Sequence, residues 1–192
     1  SMAVIIQQVT GDEHGDFYYP AISGMAQSHN YYPVSHMKPE EGIVHMAVGF
    51  GREVMEGGKA LRFSPRYPEI LPQFSTVDDM IANSQRFFYS LRLKDHDDIS
   101  RLDVHSHLEK RDIYDARNEY PVIACASTYD AAEHRIRDTG EGPGGKIITF
   151  SQIIKYKSIP LPDMLSDILE LARRNMGCAV EMEFAVNLRK GN

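Results

Sequence analysis

Polar and apolar positions alternate along "VEMEFAVNL", residues 180–188. Val180, Met182, Phe184, Val186 and Leu188 fall on one side of a strand, and Glu181, Glu183, Ala185 and Asn187 on the other. Just before it, "PDMLSDILELARRNM" (162–176) has helical spacing: Pro162 suits the first turn, acids lead, Arg173 and Arg174 close, and Gly177 stops it. Near the start, "AVIIQQV" (3–9) predicts a short strand ending at the turn cluster "TGDEHGD". "FYYPAISGMAQSHNYYPV" (17–34) predicts two strands folded against each other, and "EGIVHMAVGFG" (41–51) a strand entering a glycine-flanked turn. "REVMEGG" then has room for about two helical turns before Gly57 and Gly58.

The proline-rich stretch 62–75 reads as an extended surface crossing. Thr76 opens a helix: "TVDD" is a capping box in its Asp form, and Met80, Phe87, Phe88 and Leu91 recur at helical spacing. "ISRLDVHSHL" (99–108) alternates as a strand. "YPVIACAST" (120–128) is a continuous apolar run and predicts a strand buried on both faces. After the loop "DTGEGPGG" comes another strand, "KIITF". Strands dominate, helices are few, and βαβ alternation is missing. The fold class predicted is α+β with a mainly antiparallel sheet and flanking helices.

Length and composition narrow the function classes. A chain of 192 residues, 42% hydrophobic and 25% charged, suits one globular domain. Its net charge of −6 argues against nonspecific binding to nucleic acid or to an anionic membrane. The two cysteines, Cys125 and Cys178, stand in apolar surroundings and make no disulfide framework, so a reducing, cytoplasmic location is expected. No apolar run approaches the roughly 18 residues of a membrane span, and the start lacks the basic region of a signal peptide. Ser1 ahead of Met2 reads as a cloning remnant, and the immediate entry into a strand suggests a piece of a longer protein.

Several clusters carry candidate chemistry. Glu181 and Glu183, roughly 7 Å apart at Cα on one strand face, can converge on Mg²⁺ and phosphate oxygens; the alternative is an acidic, solvated strand face. Asp103, His105 and His107 share a strand face that suits a transition metal, but no further ligand completes a site. "GEGPGGKI" (140–147) approaches a phosphate-cradling loop, yet Ile147 replaces the metal-binding hydroxyl and a strand follows, which reads as a hairpin-type loop. Gly49, Gly51, Gly57 and Gly58 are spaced too loosely for a dinucleotide fingerprint. Arg62 and Arg66 lie just beyond as candidate phosphate partners or as plain surface arginines. No nucleophile elbow occurs, and neither cysteine has a neighbouring histidine.

Taken in order, four segments resemble the ATP-grasp nucleotide-binding domain of the phosphoenolpyruvate synthase and pyruvate phosphate dikinase family. "VIIQQV" resembles the apolar strand that ends in Gln near the adenine pocket, placing Gln7. "SGMA" (23–26) resembles a Ser-Gly-Val-x turn, and "VGFGREVMEGG" a Gly-Leu-Gly-Glu segment with a later glycine. "VEMEFAV" resembles the Asp-Ile-Glu strand whose acids bind the metal of Mg·ATP, with Glu181 on the Asp and Glu183 on the Glu. Arg52 departs from the pattern, standing where the family has Glu.

The resemblance implies one domain over 1–192, a fragment of an ATP-grasp domain from a larger phosphotransferase. That parent enzyme passes a phosphoryl group from ATP to an enzyme histidine and then to pyruvate. It implies ATP and Mg²⁺ as ligands, Glu181 and Glu183 at the metal, and Gln7, Ser23, Gly24 and Arg62 at the nucleotide. Pyruvate or phosphoenolpyruvate and the parent's other domains are the implied partners, with no nucleic acid and no membrane. The family's phosphate-binding lobe and its later Gln-x-Arg strand would lie outside this chain, so the isolated chain is expected to be catalytically silent. A nucleotide-sensing module, or a metal-binding or interaction domain built on Asp103, His105 and His107, are the other readings.

Overall fold

The computed structural model describes residues 2–4, 6–94 and 107–190. In chain order the first elements are β1 (Asp12–His14), β2 (Phe17–Tyr19), β3 (Ile22–Gln27), β4 (Ile43–Ala47), α1 (Arg52–Met55), β5 (Leu61–Phe63), α2 (Val77–Asn83) and β6 (Phe87–Arg92). They continue with β7 (Leu108–Asp112), α3 (Tyr120–Cys125), β8 (Ala126–Asp130), β9 (Arg135–Arg137), β10 (Gly145–Ile148), α4 (Ser151–Ile154), α5 (Leu161–Met176) and β11 (Glu181–Val186). The strands form three antiparallel sheets among the described residues, in the orders β1-β2-β6-β7, β11-β3-β4-β5 and β10-β8-β9. The fold is therefore α+β with antiparallel sheets, and no helix among the described residues is long and apolar enough to cross a membrane.

One apolar core joins the three sheets. Tyr19 and Phe88 enter it from the first sheet, Ile22, Val44, Met46 and Phe63 from the second, and Ile148 from the third. Leu161, Leu165 and Leu169, each one turn after the last, give α5 a single buried stripe. Burying each leucine contributes about 1.5–3 kcal/mol. Gly177 takes φ 68° and ends α5, its N–H donating to the Arg173 carbonyl at 3.0 Å.

The capping box at Thr76 is present: its Oγ1 accepts from the Asp79 N–H at 3.0 Å, and its own N–H donates to the Asp79 carboxylate at 3.1 Å. The helix it opens stops at Asn83, however. Phe87, Phe88 and Leu91 belong to β6, where pairing with β2 and β7 overrides their helical spacing. The run 120–128 is likewise no continuous strand. Pro121 sits in the first turn of α3, whose Val122 and Cys125 face the core, and the chain extends only at Ala126.

Five other expectations change. Among the described residues of 3–9 there is no strand: Val4, Ile6 and Val9 are exposed, as is Met2, and the first ladder among the described residues starts at Asp12, because a β-branched run is held only where a neighbour pairs with it. The segment 17–34 does not fold back on itself: Ser23 and Gly24, expected at a turn, lie inside β3, and β2 and β3 belong to different sheets. Pro20, which has no N–H for a ladder, and Ala21 pass the chain from the first sheet to the second. The loop before Gly145 closes no hairpin, since β9 and β10 flank β8 on opposite sides. The stretch after Ala60 begins with β5, and α1 is a single turn. Of the cysteines, Cys125 is buried and Cys178 exposed, both free.

Candidate functional site

The second sheet has two unlike faces. Met182, Phe184 and Val186 of β11 pack against the core together with Ile22, Ala26, Val44, Met46, Leu61 and Phe63. The opposite face follows from the register: Glu183 lies opposite Met25, Met25 opposite His45, and His45 opposite Arg62. A second row runs from Glu181 to Gln27 and Ile43, and a third from Ala185 to Ser23 and Ala47. Glu181 and Glu183 interrupt an apolar strand because their face is turned away from the core.

A groove of about 540 Å³ lies along the β11 side of this face, and Gln7, Thr10, Ser23, Gly24, Arg52 and Glu183 are among the residues lining it. The N-terminal stretch forms its wall and is tied down by the Tyr18 hydroxyl, which donates to the Val9 carbonyl at 2.8 Å. Asn187 Nδ2 adds a bond to the Gly11 carbonyl at 2.9 Å. Four of the six residues expected at a nucleotide site, Gln7, Ser23, Gly24 and Glu183, thus meet in one groove. Glu181 stands one row away and accepts a hydrogen bond from Gln27 Nε2. Arg62 stands at the far side of the sheet, roughly 14 Å from Glu183 at the backbone by three strand spacings.

Ser23 and Gly24 have local duties. The Ser23 hydroxyl is buried and donates to the Gly49 carbonyl at 2.6 Å, which fixes the turn leading to α1. At φ 83° Gly49 is in the left-handed region, and a Cβ there would strike the Tyr89 carbonyl and the Phe88 ring. Gly24 is directed at the core side, where a Cβ would collide with the His45 carbonyl and the Phe184 ring. Its bare backbone lets Phe184 close over the sheet. Beside the groove, Arg52 pairs with Glu56 at 2.6 Å and lies 4.9 Å from the Tyr89 ring centroid, while the Tyr89 hydroxyl donates to Glu56 at 2.7 Å. The Tyr89 hydroxyl bond, then the Arg52 bond, holds the Glu56 carboxyl below its usual range.

His45 was not among the sequence candidates, although "IVHMA" breaks an apolar strand as "VEMEFAV" does. Burial, then the Arg62 charge, lowers its pKa against the opposing pull of Glu181, so the imidazole is neutral at pH 7. The loop at 140–147 is occupied with itself: Lys146 Nζ donates to the Gly142 carbonyl at 2.8 Å and to Thr128 Oγ1 at 3.2 Å. Asp103 and His105 lie outside the described residues, and His107 precedes β7. Among the described residues no three His, Cys, Asp or Glu side chains gather as a metal site. Compared with known proteins, the chain matches no family model, no curated protein and no solved structure.

Proposed function

We propose that this chain is the nucleotide-holding portion of an ATP-dependent phosphotransferase of the phosphoenolpyruvate synthase and pyruvate phosphate dikinase kind, with an ATP-grasp-like plan. The observation that carries the reading is the open face of the second sheet. It sets two carboxylates on one edge strand, beside a groove whose walls include Gln7 and the Ser23-fixed turn, and an arginine across the sheet. Hard carboxylate oxygens two residues apart on an exposed strand suit Mg²⁺, which takes one or two carboxylates and completes its shell with phosphate and water. Glu181 and Glu183 would hold that ion. When bound, it neutralises phosphate charge and polarises the phosphoryl oxygens.

The protein's own residues do the rest. Gln27 orients Glu181 by its amide, Gln7 borders the adenine end, and Ser23 keeps the Gly49–Gly51 backbone in place beside the groove. The parent reaction is phosphoryl transfer to an enzyme histidine and on to pyruvate, in the cytoplasm, with the acceptor groups on other domains. Arg52 favours a second reading, a nucleotide sensor without turnover. Its pairing with Glu56 and Tyr89 occupies the position where the resembled motif has an acid.

Calorimetric titration of Mg·ATP into the 192-residue chain, beside Glu183→Gln, tests the proposal. Magnesium-dependent binding that the variant weakens at least about tenfold, or 1.4 kcal/mol, is the expected result. Binding that is indifferent to Glu183 or to magnesium would overturn the assignment of the acidic strand. Phosphohistidine formation by the full-length protein separates the enzyme from the sensor.

A further inference from the structure

Arg62 is exposed, and among the described residues no carboxylate pairs with it. Its base is nonetheless rigidly held. Its N–H donates to Gln73 Oε1 at 3.2 Å, while Gln73 Nε2 donates to the Ala60 carbonyl at 3.2 Å and the Asn83 carbonyl at 3.1 Å. One side-chain amide thereby locks the start of β5 to the end of α2. On the sheet itself Arg62 stands directly opposite His45. Two hollows meet at this pair, one of about 360 Å³ toward Gly57–Ala60 and Asn83, the other of about 210 Å³ toward Tyr31 and Tyr32.

We propose that Arg62 and His45 form a binding site for a phosphate-type oxyanion, the terminal phosphate of a phosphorylated small molecule. A guanidinium fork presents two parallel donors to two oxygens of such a group, and the adjacent imidazole supplies a donor to a third. The anion relieves the arginine of its unpaired state and removes the repulsion that Arg62 exerts on a charged His45. Glu181 and Glu183, at the opposite edge, discourage the anion from sliding along the face and leave that edge to a cation. That the phosphate belongs to the nucleotide rests on the function proposed above; the oxyanion site itself does not.

The test follows the His45 imidazole by ¹H–¹⁵N NMR in the whole chain during magnesium-free titration with inorganic phosphate and pyrophosphate. The charged groups facing His45 are Arg62 from β5 and Glu181 from β11. Saturable shifts of the His45 ring and an upward move of its titration midpoint are expected with pyrophosphate. Arg62→Gln should weaken the effect at least about tenfold, and Arg62→Lys should restore part of it. Absence of a saturable response, or an equal response in Arg62→Gln, overturns the site. If Mg·ATP binds through Glu183 while pyrophosphate leaves His45 untouched, the nucleotide reading survives and this inference falls. Pyrophosphate binding at His45 without any Mg·ATP binding supports the anion site and sinks the nucleotide reading instead.

Discussion

Two arginines in this protein live under opposite rules. Arg111 of β7, its side chain 8% exposed, pairs with Glu119 at 2.6 Å and lies 3.9 Å from the Phe17 ring centroid. Glu119 also accepts the Tyr19 hydroxyl, and His14 leans on the Tyr19 ring at 4.6 Å between centroids. Every charge in that cluster is answered from within, so the cluster ties the first sheet to the start of α3. Arg62 lies on an open face with a histidine beside it and its acids at the far edge. A charge answered internally reports architecture, because burial without a partner would be ruinous. An exposed charge anchored at its base in a concave face is available to a ligand.

The sharpest way to break this contrast is Arg111→Met, which strands the Glu119 carboxylate. A loss of about 3 kcal/mol in urea unfolding is expected, and adding Glu119→Leu should recover part of it. Loss of less than about 0.5 kcal/mol would mean that the cluster does not hold the fold. Next comes Gly24→Ala on the core side of the second sheet, where the added Cβ meets backbone and the Phe184 ring. It should cost about 1–3 kcal/mol and disturb the register of β11 on β3. A thermal melt matching the wild type would refute that packing argument.

A smaller effect is expected with pH. Burial lowers the pKa of both His14 and His45. As pH falls through about 6.5 the unfolded chain takes up these protons first, so stability is complete above that pH and declines below it. Urea midpoints measured from pH 8 to pH 5 should fall at the acid end, and His45→Asn should flatten part of the slope. A profile level across this range would contradict the burial of both rings. Smallest of all, Arg62→Gln and Glu183→Gln should change stability by no more than about 0.5 kcal/mol while altering ligand binding. A large stability loss from either would move that residue into the architectural class with Arg111.

Legibility followed the range of the forces. Gln7, Ser23, Gly24 and Glu183 were marked in the sequence, and the groove gathers them, but their division of labour was hidden. Ser23 spends its hydroxyl on Gly49 twenty-six residues away, and Gly24 makes room for Phe184 of β11. His45 gave a signal, a lone histidine in an apolar strand, whose meaning depended on Arg62 standing opposite. The segment 3–9 looked like a strand by composition, and Val4, Ile6 and Val9 are nonetheless exposed.

Sequence alone determined the features that close within a few residues. These are the capping box at Thr76, the stripe and glycine stop of α5, and the alternation that turns Glu181 and Glu183 away from the core. Each depends on hydrogen bonds or periodicities spanning one turn or one strand, and the residues that make them are neighbours in the chain. Tertiary structure decided that Phe87–Arg92 would be strand and Tyr120–Cys125 helix, that β2 and β3 would part at Pro20, and that Arg62 would face His45. Those outcomes turn on which distant segment comes alongside, where pairing and burial outweigh local propensity.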